Sequence, residues 1–137
     1  MRFSISAREA CEIETLPKNW VLISINDEHC DLIPLKLDRK DKRILTLTFS
    51  DTNAPLEYKG LTYRPLYEDD AHKILKFIEK NKDKNFLIHC RAGISRSAAI
   101  ALFINVEYGH ELKENFWNLS LSNTHILGIL IREKRKK

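Results

Sequence analysis

Three features of the 137-residue sequence predict an α/β fold with a central, mostly parallel sheet flanked by helices. Short β-prone runs alternate with stretches of helical periodicity. The apolar run Phe86-Leu-Ile88 leads through a compact loop into a helix that is apolar nearly all round. Hydrophobic residues make up 43% of the chain and charged residues 31%, the balance of a globular protein. Strands alternating with helices build a parallel sheet covered on both faces. The length suits one domain spanning 1–137, and no repeat, low-complexity segment or linker divides it.

Each element has its own local cause. Phe3 to Ser6 alternates as a short first strand, and Ser6-Ala-Arg-Glu9 has the spacing of a capping box opening a brief helix toward Ile13. Trp20-Val-Leu-Ile-Ser-Ile25 is strongly β-prone and reads as a central strand. Asn26 to Lys42 is polar, a surface connection, and Arg43 to Phe49 alternates as another strand. Ser50 to Tyr67 contains Asn53, Pro55, Gly60 and Pro65, which predicts a long irregular loop of functional type. Glu68-Asp69-Asp70 places acidic residues where a helix dipole favours them, and Ile74, Leu75, Phe77 and Ile78 mark that helix's buried face up to Lys84. The strand at Phe86 and a buried helix from Ser97 to Glu107 follow, stopped by Gly109. Glu111 to Leu119 and Asn123 to Ile131 read as two further amphipathic helices, the second capped by Ser122-Asn123.

Composition narrows the function classes. No apolar run reaches the ~18 residues of a membrane span, and Arg8 and Glu9 come too early for a secretory signal. Three cysteines without regular spacing argue against a disulfide framework and for a reducing, cytoplasmic setting. There is no Cys-x2-Cys or His-x3-His pair to suggest zinc, and no Gly-x4-Gly-Lys-Ser/Thr run for nucleotide phosphates. Of the formal charge of +4, much sits in Arg132, Lys134, Arg135, Lys136 and Lys137. That end reads as a solvated, frayed tail rather than a nucleic-acid surface.

The chemistry concentrates in Phe86-Leu-Ile-His-Cys-Arg-Ala-Gly-Ile-Ser-Arg-Ser97. A strand, a tight loop and a helix N-terminus form an anion-binding nest of inward N–H groups backed by the helix dipole. Gly93 supplies the unusual φ that such a loop needs. Arg96, six residues after Cys90, offers a planar fork for two phosphate oxygens. Ser95 and Ser97 add hydroxyls beside a cysteine expected to be a low-pKa thiolate. Neither Cys11 nor Cys30 has an arginine at that spacing.

His89-Cys90-Arg91-Ala92-Gly93-Ile94-Ser95-Arg96-Ser97 resembles the phosphate-binding loop of the cysteine-dependent protein tyrosine phosphatase superfamily, whose pattern is His-Cys-x-x-Gly-x-x-Arg-Ser/Thr. The Ala-Gly-x-Ser-Arg-Ser wording is nearest the compact dual-specificity branch found in microbes and phages. The resemblance implies metal-independent and cofactor-free hydrolysis of phosphate monoesters through a cysteinyl-phosphate. Cys90 would be nucleophile, with Arg96 and the N–H groups of Arg91, Ala92, Gly93, Ile94, Ser95 and Arg96 binding phosphate. Ser97 would assist thiolate departure, and His89 would support the loop. Inorganic phosphate or vanadate would be ligands, and a phosphorylated protein or peptide the substrate.

A general acid is needed to protonate the leaving oxygen. Asp51 follows the strand ending at Phe49, on the predicted sheet edge of Cys90, and matches the family's acid position. Asp69 and Asp70 are rivals explained by helix capping. Phe49-Ser50-Asp51 departs from the Trp-Pro-Asp wording of the longer tyrosine-specific enzymes. Phosphoinositides and the 5′-triphosphate of RNA are alternative substrates of the superfamily. Ile94 stands where many phosphoinositide enzymes carry a second basic residue. A non-catalytic phosphate-binding module is the reading from another class. Arg91 adds positive charge beside Cys90, and Tyr58, Tyr63 and Tyr67 are candidates either for an aromatic-accepting pocket or for packing. Trp20 and Trp117 read as core, and His29, His72, His110 and His125 as surface or satisfied positions.

Overall fold

The computed structural model describes residues 2–108 and 123–136. In chain order the elements are β1 (Arg2–Ile5), α1 (Ala7–Cys11), β2 (Trp20–Asn26), β3 (Ile44–Thr48), β4 (Leu56–Tyr58), β5 (Leu61–Tyr63), α2 (Glu68–Lys80), β6 (Asn85–His89), α3 (Arg96–Glu107) and α4 (Thr124–Arg135). The fold is α/β, with a four-stranded sheet in the order β1-β6-β2-β3 and every pairing parallel. The segments expected at Glu111 to Leu119, Gly109, His110, Trp117 and Ser122 lie outside the described residues.

Period-two alternation assigns the two faces of the sheet. Val21, Ile23 and Ile25 of β2, with Phe86 and Ile88 of β6, join Leu47 and residues of α2, α3 and α4 in the main core. Leu22 of β2 belongs to a smaller cluster on the other face, with Leu16, Ile44, Trp20, Leu35, Leu37 and Leu87. Irregular segments thus contribute to the cover of that second face, through Leu16, Leu35 and Leu37. Ser24, Asn26 and His89, which continue the second face of β2 and β6, are wholly buried polar residues. Because buried polar groups need partners, this face carries a hydrogen-bond network where the first carries only packing.

The helices follow from their sequences. Ser6 and Glu9 form the capping box of α1. Of the α2 core positions, Ile74, Leu75, Phe77 and Ile78 are buried as expected, and so is Asp70. On α3, Ala98, Ala99, Ile100, Ala101, Phe103 and Ile104 are all buried, so this helix lies within the molecule. Asn123 caps α4 by accepting from the Ile126 N–H.

Two expectations need correction. The stretch Ser50 to Tyr67 is not irregular throughout: β4 and β5 pair antiparallel around Lys59 and Gly60, both with positive φ. Two consecutive positive-φ residues make the tight hairpin turn that matches strand twist. The basic end is not frayed as far as it is described, because α4 continues through Arg132, Lys134 and Arg135. Glu133 is buried there and binds Lys136 at 2.9 Å and His72 at 2.8 Å. Those partners hold its carboxyl down at about 2. No helix among the described residues is long and apolar enough to cross a membrane.

Candidate active site

Parallel pairing brings the carboxyl ends of all four strands to one edge. Ile5 of β1 and Ser24 of β2 both stand beside His89 at the end of β6, and Thr48 of β3 stands beside Asn26. The segments leaving that edge are Ser6-Ala7, Asp27-Glu28, Phe49 to Asp51 and Cys90 to Ser95. The last two of these, with Arg96, enclose a cavity of about 380 Å³ lined by Asp51, Cys90, Arg91, Ala92, Ile94, Ser95 and Arg96.

The loop from Cys90 is fastened to β1 and α1. The Ala7 N–H donates to the Arg91 carbonyl at 3.0 Å, and Ser4 Oγ donates to the Gly93 carbonyl at 2.7 Å. Gly93 has φ +78°, and a Cβ there would sit 2.5 Å from the Ile5 carbonyl carbon. Both the dihedral and the close approach therefore require glycine.

Cys90 is 2% exposed and lies at the cavity floor. Its Sγ receives the Gly93 N–H at 3.2 Å and lies 3.2 Å from Ser97 Oγ. Burial pushes the thiol up, but the Ser97 and Gly93 hydrogen bonds, with the Arg96 charge, outweigh it and hold the thiol below its ordinary range. Ser97 is fully buried beneath the loop rather than in the cavity wall.

Arg96 is also buried, at 5% exposure. Its Nη1 donates to the Phe49 carbonyl at 2.8 Å and its Nη2 to Asp27 Oδ1 at 2.7 Å. Its Nε is buried with no partner among the described residues. A buried guanidinium N–H without an acceptor is costly.

Asp27 is a residue that sequence reasoning missed. One carboxylate oxygen takes Arg96 and the other takes Arg91 Nε at 2.5 Å. Burial pushes this carboxyl up, yet the two arginines hold it below the usual carboxylate range. The only signal in the sequence was its place directly after a central strand, on the edge where sites form.

His89 sits behind the loop on the second sheet face. Its Nε2 is 2.6 Å from Ser24 Oγ and its Nδ1 is 3.3 Å from the Cys90 carbonyl. Ser24 Oγ already accepts from Arg39 at 3.0 Å and from Asn26 at 3.3 Å. The Ser24 hydroxyl proton therefore points to Nε2, which fixes the proton of the neutral ring on Nδ1. Burial pushes this imidazole down to about 4. The neutral ring thus lies behind the loop, against the Cys90 carbonyl.

Asp51 is exposed and lies in the cavity wall. Its Oδ1 accepts from Ser95 Oγ at 2.9 Å and from Asn123 Nδ2 at 2.7 Å. Asn123, expected only to cap, thus also tethers Asp51 to α4. The rivals lie elsewhere: Asp70 is buried against Arg64 at 2.6 Å and caps the Tyr67 N–H, and Asp69 lines a separate cleft with Tyr67 and Glu68. Tyr58, Tyr63 and Tyr67 do not line the Cys90 cavity among the described residues. Tyr63 meets His29 edge-on, while Lys59 and Arg64 lie over the rings of Tyr58 and Tyr67.

The predicted set therefore assembles in two layers. Asp51, Cys90, Arg91, Ala92, Ile94, Ser95 and Arg96 line the cavity, and Gly93, Ser97 and His89 support it. Chemically, the arrangement offers an ionisable nucleophile, an unsatisfied cationic donor and a carboxyl group around one space. The chain matches no family model, and no curated protein sequence matches it significantly.

Proposed function

We propose that this chain hydrolyses phosphate monoesters through a cysteinyl-phosphate, acting as a protein tyrosine or dual-specificity phosphatase in a reducing cytoplasmic compartment. One observation carries the reading. A thiol held below its ordinary pKa shares a cavity with Arg96, whose buried Nε has no partner among the described residues. In the first step the Cys90 thiolate attacks phosphorus and the ester P–O bond breaks. Asp51 gives its proton to the leaving oxygen, while Arg96 and the N–H groups of residues 91–96 hold the equatorial oxygens. In the second step water attacks phosphorus and yields its proton to Asp51. The S–P bond breaks, releasing inorganic phosphate and the thiolate, which accepts the Ser97 hydrogen bond.

The charge around the cavity supports a singly phosphorylated group over a polyanion. The two cations that line the cavity among the described residues, Arg91 and Arg96, are both engaged by Asp27. Among the described residues the adjoining cleft is lined by Asp51, Thr52, Asn53, Ser95, Asn123 and Thr124, none of them a cation. Phosphoinositides and RNA triphosphate ends would need further positive charge there. The test is turnover of an aryl phosphate by wild type and by Cys90→Ser, with phosphopeptides, phosphoinositides and RNA 5′-triphosphate assayed in parallel. Wild-type turnover lost in Cys90→Ser, with vanadate binding retained, is the expected result. Vanadate binding without turnover by wild type would make the chain a phosphate-binding module instead.

A further inference from the structure

The Cys90 sulfur is joined to β1 by a line of three short contacts. Cys90 Sγ lies 3.2 Å from Ser97 Oγ, Ser97 Oγ lies 2.5 Å from Ser4 Oγ, and Ser4 Oγ lies 2.7 Å from the Gly93 carbonyl oxygen. We propose that Ser4 is a positioning residue, the outer member of a hydroxyl chain whose direction reverses as the sulfur gains or loses negative charge.

Counting protons leads to the reversal. The Gly93 carbonyl can only accept, and each hydroxyl has one proton to give. With a neutral thiol there are three protons for three contacts. The chain then runs outward, from S–H to Ser97, from Ser97 to Ser4 and from Ser4 to Gly93. Ionisation sends the thiol proton to solvent and leaves two protons for the same contacts. The thiolate claims the Ser97 proton. The contact between the two serine oxygens, at 2.5 Å, cannot be left without a proton, because facing lone pairs repel at that distance. Ser4 therefore turns its proton to Ser97, and the Gly93 carbonyl loses its donor.

The sign of the effect follows. In wild type, ionisation costs the Ser4–Gly93 bond. The gain is a Ser97 hydroxyl polarised by Ser4, and such cooperative strengthening is a fraction of one hydrogen bond. The lost bond wins, so Ser4 opposes thiolate formation and parks the Ser97 proton while the sulfur is uncharged. Under the phosphatase reading, on which this last use rests, sulfur is uncharged in the cysteinyl-phosphate. Ser97 would then swing to it as the S–P bond breaks.

The charged groups around the sulfur are Arg91 and Arg96 of the loop, Asp27 after β2 and Asp51 after β3, with neutral His89 on β6. The Ser4 side chain makes no hydrogen bond or ion pair to any of them among the described residues. A change at Ser4 thus reaches the sulfur through Ser97 and Gly93.

The test is the pH dependence of Cys90 alkylation by iodoacetamide, followed on the Cys90 peptide by mass spectrometry so that Cys11 and Cys30 do not interfere. Ser4→Ala should move the midpoint down by about half a pH unit, roughly a threefold rise in thiolate below the midpoint. Ser97→Ala should move it up, the double variant should match Ser97→Ala, and Ser4→Thr should restore the wild-type midpoint. Mere loosening of the loop would weaken the Gly93 and Ser97 donors and raise the midpoint, the opposite sign. A Ser4→Ala midpoint that is unchanged or raised overturns the proposal. Ser4→Gly, which also lacks the hydroxyl, replaces Ser4→Ala if that variant does not fold. Alkylation needs no phosphate substrate, so absence of aryl phosphate turnover would count against the phosphatase reading alone.

Discussion

Under the phosphatase reading the acid is Asp51, in the cavity wall. Its contacts are the neutral donors Ser95 and Asn123, and it makes no ion pair among the described residues. Asp27, equally close to the loop, is bound by two arginines that favour its ionised form and hold its carboxyl low, which makes it a poor proton donor. Asp51→Asn should therefore slow phenyl phosphate or phosphotyrosine by about 10²–10⁴-fold, the usual reach of general acid catalysis. Aryl phosphates with low-pKa leaving groups should suffer much less. Asp69→Asn and Asp70→Asn should leave that leaving-group dependence unchanged. An equal loss on every substrate would remove Asp51 from the role. Arg96 Nη1 and Nη2 each give one of their two N–H groups to Phe49 and Asp27, and Nε, with no partner among the described residues, is a further donor. Lysine carries one ammonium and cannot serve two fixed acceptors and a ligand from the same place. Arg96→Lys should lower kcat/KM by about 10²-fold or more, measured on phosphopeptide.

The strand–loop–helix unit works because β1 backs the loop. Gly93→Ala would drive a Cβ to 2.5, 2.6 and 2.8 Å from backbone atoms of Ile5 and Ser6, at a φ of +78°. Backbone atoms of a paired strand cannot give way cheaply, so the loop must move instead. A loss of about 2–4 kcal/mol in urea unfolding, together with loss of vanadate binding, is the expected outcome. Loss of neither would mean that the loop does not depend on this seat. Much of this unit was legible in the sequence. The apolar run of β6, the all-apolar α3 and the lone Gly93 each carry a local signal. The hairpin was not legible, because β4 and β5 are three residues each and their turn is Lys-Gly rather than Asn-Gly. Asp27, Ser4 and Arg39 were not legible for another reason. Their partners lie 69, 93 and 15 residues away, in Arg96, Ser97 and Ser24, and only strand order brings them together.

Across the whole molecule, the two faces of the sheet divide the labour between packing and polar support, and this division has a consequence for acid stability. The first face holds the core of Val21, Ile23, Ile25, Phe86 and Ile88 against the helices, and burial of such side chains does not change with pH. The second face holds Arg39, Ser24 and His89 in one network beneath Cys90, closed by the hydroxyl proton that Ser24 gives to the ring. Protonating His89 would place a second proton on Nε2 facing that donor, beside a cation already present. The sequence marks this histidine only by its place before the cysteine, since its burial depends on β2 lying alongside. The folded ring titrates at about 4, below its ordinary 6.5. Between these two pH values the unfolded chain binds a proton that the folded chain refuses. The stability His89 contributes is therefore complete above pH 6.5 and lost as pH falls toward 4, where it levels off. A depression of this size corresponds to about 3 kcal/mol. Glu133, held at about 2, and Asp27, also held low, withdraw their contributions as pH falls below the ordinary carboxylate range. Urea unfolding at a series of pH values should thus show wild type losing stability between pH 6.5 and 4. His89→Gln, with no ring to protonate, should start less stable at neutral pH and follow a flatter curve through that interval. Parallel curves would mean that the folded protein accepts a proton at His89 as readily as the unfolded chain does, and that the neutral ring is not what holds the Cys90 carbonyl.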